Sequence, residues 1–246
     1  MKNPLLKCLL LLSNFTLTTA MAAVTVIVNQ NNYEFDNEPR LVEVLAPFAS
    51  EQNWYWPSAV LFQADNIDLE KTRQMLLNNL SVVSQHYRSE NPNLVQSLEQ
   101  LRTSISNWRL ARRLPVKIDY DLARIAASAN PQLSHGKYVL ALSERKNTVQ
   151  LFGAINKSSQ ITHLGHSDVS HYISDQDRTN LANKDYAILI QADGRKIEVP
   201  VAYWNKTHQE VMPGSQIFVP FNESLFRPEF KIINQQIATL AQNRLQ

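Results

Sequence analysis

The sequence predicts an α+β fold, and three observations carry that reading. Short apolar runs rich in Val and Ile, bounded by Asn, Pro or Gly, recur in both halves of the chain with the length and composition of strands. Between them, residues 68–108 switch to a helical period. The closing stretch, residues 229–245, sorts apolar and polar side chains to opposite sides of a helix.

Residues 1–22 (MKNPLLKCLLLLSNFTLTTAMA) have the features of a cleaved secretory signal peptide. Lys2 and Lys7 form a positive start, the apolar run centres on residues 9–12, and Ala20-Met21-Ala22 fits a small-x-small cleavage pattern. That run, broken by Ser13, Asn14 and Thr16, is short against the roughly 30 Å of hydrocarbon a membrane anchor must span. No integral membrane segment is expected after cleavage. Cys8, the one cysteine, leaves with the signal, so no disulfide, thiol nucleophile or thiolate metal site is expected. Without Lys2 and Lys7 the 24 Lys+Arg fall to 22, against 22 Asp+Glu. A neutral chain lacks the basic excess from which nonspecific nucleic-acid affinity arises, so nucleic acid is not an expected partner.

The elements follow in order. Residues 23–28 (AVTVIV), a polar turn at 29–32 and the alternation at 33–35 predict an opening hairpin. Pro39 at a first helical position leads into Leu41, Val42, Val44, Leu45 and Phe48, a short amphipathic helix. Trp54, Tyr55 and Trp56, closed by Pro57, precede a strand at 59–63. Leu69, Met75, Leu76, Leu80, Val83 and Tyr87 then form one helical stripe. Asn91-Pro92 breaks it and caps a second helix, in which Leu94, Val95, Leu98, Leu101, Ile105 and Trp108 keep the spacing. After this hairpin, residues 114–118 are expected as a strand opening at a proline boundary.

Turns at Asn130-Pro131 and His135-Gly136 precede a strand at 138–142. A second unit begins with 148–155 (TVQLFGAI) and a short helix at 168–172. Asp193-Gly194, a strong hairpin signal, joins 186–191 to 195–201. Pro213-Gly214 introduces a last strand at 216–221 (QIFVPF). In the closing helix Phe230, Ile233, Ile237, Leu240 and Ala241 share one side, with Lys231, Gln235, Gln242 and Arg244 opposite. Its apolar stripe has three possible fates: closing over its own domain, lying on a membrane, or joining a partner through Phe230, Ile233, Ile237 and Leu240. Few cations flank it, so the membrane is the weakest of these.

Catalytic patterns are thin. His163, His166, Asp168 and His171 have ligand chemistry, but Gly165 and Ser167 make their run a loop rather than a rigid frame, and no metal or cofactor is expected. The acid pairs Asp119 with Asp121 and Asp175 with Asp177 flank turns rather than a sugar cleft, and no Gly-x-Ser-x-Gly elbow is present. Binding chemistry is better supplied. Residues 107–121 (NWRLARRLPVKIDYD) gather Arg109, Arg112, Arg113 and Lys117 beside Trp108, and Trp54 and Trp56 add aromatic faces. Arg presents a bidentate fork to carboxylate or phosphate.

The order TVQLFGAI, HYISD, DYAILIQADGRKIEV, Trp204 and VMPGSQIFVPF resembles a soluble-ligand-binding β-grasp (SLBB-type) domain of the kind carried by bacterial polysaccharide exporters. With the helical hairpin, LPVKIDYDLARI and the amphipathic tail, nearly the whole processed chain resembles the GfcC-like family of periplasmic capsule and O-antigen-capsule biosynthesis proteins. The resemblance implies two β-grasp-like domains, at 23–145 with the hairpin inserted at about 68–108 and at 146–222, followed by the helix at 223–246. It also implies similarity to the domains of Wza-type outer-membrane exporters. Arg113-Leu114-Pro115-Val116 match the family's Arg-apolar-Pro segment, with Arg112 standing where a small residue is usual. Its implied role is that of a periplasmic accessory protein in assembly or export of a surface polysaccharide, not an enzyme. Such a protein would bind the glycan, its precursor or the outer-membrane exporter, and an enzyme that modifies or cleaves the polymer is the alternative. Expected ligand contacts are Arg113, Arg112, Trp108, Trp54 and Trp56.

Overall fold

The computed structural model describes residues 24–50, 53–174, 178–224 and 227–245; the expected signal, Cys8, Asp175 and Asp177 lie outside them. The first sheet consists of β1 (Val24–Val28), β2 (Asn31–Phe35), β3 (Val60–Gln63), β4 (Arg112–Arg113) and β5 (Gly136–Ala141). Its order is β2-β1-β5-β3-β4, with β1 and β5 parallel and the other pairs antiparallel. Asn29 and Gln30 take φ of 48° and 74° between β1 and β2, the left-handed pair that matches a two-residue turn to strand twist.

The second sheet consists of β6 (Thr148–Gly153), β7 (Ser159–Thr162), β8 (Tyr186–Ile190), β9 (Lys196–Pro200) and β10 (Gln216–Val219), in the order β7-β6-β10-β8-β9. Here β6 and β10 are the parallel pair. Strand for strand this is the order of the first sheet, so the chain builds one β-grasp-like topology twice. A helix occupies the same place in each unit: α1 (Leu41–Leu45) between β2 and β3, and α5 (Val169–Ser174) between β7 and β8. In the first, β4 leads to the short α4 (Tyr120–Ile125) before β5.

The helical hairpin, α2 (Ile67–His86) and α3 (Pro92–Ser106), is inserted between β3 and β4. Asn91 caps α3 by accepting the Leu94 N–H at 3.1 Å, and Pro92 takes the first turn, where no N–H is needed. Although the hairpin belongs in sequence to the first unit, its apolar faces serve the second. Leu76, Leu80, Leu98 and Ile105 share one core with Leu151, Leu189 and Phe218 of the second sheet. The first sheet keeps a separate core around Val24, Val26, Leu41, Leu45, Leu61 and Leu140.

The last helix, α6 (Glu229–Gln242), completes the second core. Phe230, Ile233, Ile237 and Leu240 are all fully buried, so the stripe closes over its own domain, and these four residues are not the partner-binding surface that was the alternative. Burying such side chains is worth about 1.5–3 kcal/mol each, so the chain's own core, with α2 packed on α6, already holds them. Residues 114–118 are also not a strand. Leu114 donates one further bond to the Leu61 carbonyl at 2.9 Å, and Pro115 then has no N–H to continue the ladder. Among the described residues no helix is long and apolar enough to cross a membrane.

Candidate functional site

Arg113 stands where the inserted hairpin returns the chain to the first sheet, facing the β8–β9 turn of the second. Its backbone N–H donates to Asn243 Oδ1 at 2.8 Å, and its guanidinium donates to the Ala192 carbonyl at 2.8 Å and lies 5.8 Å from the Phe62 ring centre. Gly194 makes this approach feasible. At φ +90° it occupies a backbone region that favours glycine, and a Cβ there would collide with the guanidinium. Burial pushes the Arg113 pKa down to about 10, against a smaller opposing pull from the Asp193 carboxylate. The side chain therefore stays charged at neutral pH while largely withdrawn from water.

Behind Arg113 a cavity of about 60 Å³ opens between the two sheets, lined among others by Phe62, Lys146, Ala192, Gln216 and Arg244. A water needs roughly 10–15 Å³ of such space, so the cavity holds a few waters or one compact anionic group. Burial also lowers the pKa of Arg244, and burial together with the Arg244 charge lowers that of Lys146. No acidic side chain lines the cavity among the described residues. Three partly desolvated cations thus border the cavity.

In front of Arg113 lies an open cleft made of two hollows of about 420 and 480 Å³, which share Pro115, Asp193 and Arg195. The inner one is walled by Gln242 and Asn243, the outer by Trp56, Val116, Lys117 and Met212. Apolar planks and separated charges alternate along it, as in sites that fix a ligand by shape and orient it by a few polar contacts. Arg113 borders both the inner hollow and the buried cavity.

Of the five residues expected to contact ligand, the structure brings Arg113 and Trp56 to this cleft. Arg112 is exposed and donates to the Gln63 side chain, since neighbours in a strand point to opposite faces. Trp54 donates its ring N–H to the Phe48 carbonyl at 3.0 Å, packs on the first core and borders a separate hollow with Tyr55 and Arg145. Trp108 is a core residue of the second unit: it is 5% exposed, meets Phe152 edge-on at 5.7 Å and lies under the Arg244 guanidinium at 4.9 Å. Trp108 therefore offers no free face to a ligand.

Sequence reasoning missed the far wall. Gln242 and Arg244 were expected on a solvated helix face, yet the end of α6 closes the cleft. Gln242 Nε2 donates to the Gly194 carbonyl at 2.8 Å, and Leu110 and Arg244 pair as an isolated bridge. Polar character on the outer side of an amphipathic helix was the available signal, and it marks water and polar clefts alike. The candidate acids and His163 hold other contacts, although Asp119 also lines the outer hollow. Asp119 caps α4 by accepting the Leu122 N–H at 3.0 Å. Asp168 accepts from the Ser170 hydroxyl at 2.7 Å and pairs with Lys206 at 3.1 Å, while a His163 ring nitrogen lies 2.8 Å from the Val211 carbonyl.

Two family models match the chain: Capsule biosynthesis GfcC, N-terminal, over residues 20–145, and Capsule biosynthesis GfcC C-terminal, over residues 157–246. Among curated proteins, the uncharacterized protein YjbG of Escherichia coli (strain K12) is 31% identical over 193 residues, 78% of each chain.

Proposed function

We propose a function from one premise: this chain belongs to the GfcC family of capsule-biosynthesis proteins. Membership supports a role in capsule assembly. Within that role, we infer that the protein is a periplasmic accessory factor that recognises an acidic segment of the surface polysaccharide or of its lipid-linked precursor. The features of residues 1–22 support export.

The observation that carries the reading is the position of Arg113 between a cation-lined cavity and an open cleft. Burial acts against the charged forms of Arg113 and Arg244, which border one cavity, and a nearby anion favours those forms. A uronate carboxylate or a phosphate supplies such an anion, and the guanidinium fork suits either. The apolar planks at Trp56, Pro115 and Met212 give the neighbouring residues of an extended ligand a surface to lie on. Recognition is favoured over catalysis because Asp119 and Asp168 already serve as hydrogen-bond acceptors for their own backbone and neighbours.

Titration calorimetry of the processed protein with the surface polysaccharide of the encoding bacterium tests this. Arg113→Ala is expected to weaken binding about tenfold or more, the usual weight of a hydrogen bond to a charged group. Arg113→Lys should recover only part of the loss, because it restores charge without the fork. Equal affinity in wild type and Arg113→Ala removes the cleft from the proposal. New chain ends or lost substituents after long incubation would make the protein an enzyme instead.

A further inference from the structure

The turn after β9 leaves its two largest side chains in water. Tyr203 is fully exposed and Trp204 is 75% exposed, while Trp54 and Trp56 are half-buried and Trp108 is buried. The backbone beneath them is firmly held. Asn205 accepts the Ala202 N–H on its Oδ1 at 3.0 Å, donates its own N–H to the Ala202 carbonyl at 3.1 Å, and donates Nδ2 to the Asp185 carbonyl at 3.2 Å. Val201 donates to that same carbonyl at 2.9 Å. Two rings are thus displayed on a turn anchored to the start of β8.

We propose that Tyr203 and Trp204 form a second carbohydrate-contact point, stacking on the apolar C–H face of a pyranose, separate from the Arg113 cleft. The ligand class rests on the polysaccharide reading above; the site itself does not involve Arg113. Three physical considerations select a sugar. Two aromatic side chains supply about 300–500 Å² of contact, well under the roughly 800 Å² per partner of a stable protein interface. The charges at the turn are mixed, with Lys206 paired to Asp168 at 3.1 Å and Asp185 beneath Asn205, whereas an anionic membrane surface selects clustered cations. A pyranose needs an apolar platform with polar groups beside it, and Lys206 and Thr207 follow the two rings in the chain.

Position adds a second argument. The turn lies at the opposite end of the β8–β9 ribbon from Gly194, whose side faces the cleft. At about 3.3 Å per residue, the two points are separated by roughly 20 Å, a span that several consecutive sugars of one polymer cover. Two modest contacts on one polymer reinforce each other through effective concentration.

Trp204 is its own reporter, because it is the most exposed of the four tryptophans. The processed protein is titrated with the surface polysaccharide of the encoding bacterium while tryptophan emission and acrylamide quenching are followed. The expected result is a blue shift with reduced quenching, lost in Trp204→Ala, and an affinity about fivefold or more weaker in Tyr203→Ala. Arg113→Ala should keep the blue shift at saturating polymer. Both aromatic positions are exposed, so an unchanged thermal midpoint verifies folding of the variants. Binding that leaves Trp204 emission and Trp204→Ala affinity unaltered overturns this site and leaves the cleft standing. A shift with vesicles of phosphatidylcholine and phosphatidylglycerol, and none with polysaccharide, overturns it in favour of a membrane tip. Failure of the polymer to bind at all overturns both sites.

Discussion

The two sheets share one strand order and differ most at one connection. Between its third and fourth strands the first unit carries the α2–α3 hairpin, whereas the second makes the same step in a tight turn through Ala192, Asp193 and Gly194. These two unlike versions of one connection meet: Arg113, where the insertion ends, packs against Gly194, in the turn that lacks an insertion. Symmetry of topology builds the frame, and the place where it is broken builds the cleft. The hairpin adds a further asymmetry, since it leaves its own unit and roofs the other one together with α6.

Breaking that asymmetry should have graded consequences. Leu98→Ala removes a fully buried hairpin side chain from the second core and should cost about 3 kcal/mol in denaturant unfolding, although residue 98 belongs in sequence to the first unit. Gly194→Ala forces a side chain onto a left-handed backbone and into the guanidinium. A loss of about 2 kcal/mol is expected, together with a drop in polysaccharide affinity measured by calorimetry. Asn243→Ala takes away the acceptor of the Arg113 N–H and should cost about 1 kcal/mol in thermal or chemical unfolding. Raising pH sharpens the same point. Arg113, with its pKa pushed down to about 10, binds an anion only while protonated, so affinity should be flat from pH 6 to 8 and fall as pH climbs through about 10. Arg112→Ala, beside Arg113 but on the solvent face of β4, should leave both the unfolding midpoint and the affinity unchanged.

Local signals in the sequence carried much of the fold. Asn91-Pro92 declared the start of α3, Asp193-Gly194 declared the β8–β9 turn, and the 3.6 period declared both hairpin helices, because caps, turns and stripes are written within a few residues. The edge strand β7 was missed: SQIT is polar and pairs on one side only, so burial imposes no apolar alternation on it. The short helix α4 was missed because a single turn shows no period, and its cap, Asp119, looked like a loop acid. At the site, Arg113 was legible only through a family pattern. Trp108 and Arg244 were misplaced for one shared reason: a stripe says which side of a helix is apolar, not which unit covers it. Part of the roof over the second sheet comes from α2 and α3, well upstream of its first strand at Thr148, and periodicity does not encode that choice.

The end of α6 gives the molecule a sense of timing. The acceptor for the Arg113 N–H lies 130 residues further along the chain, and Asn243 and Gln242 reach back to Ala111 and Gly194. Residues 241–245 follow every other part of the site in chain order, so the residues of both sheets come before the wall that completes the cleft. A chain clipped before residue 241 would keep all ten described strands and still lack the wall that orients Arg113. On the recognition proposed above, such a chain would keep its frame and lose its hold on the polymer.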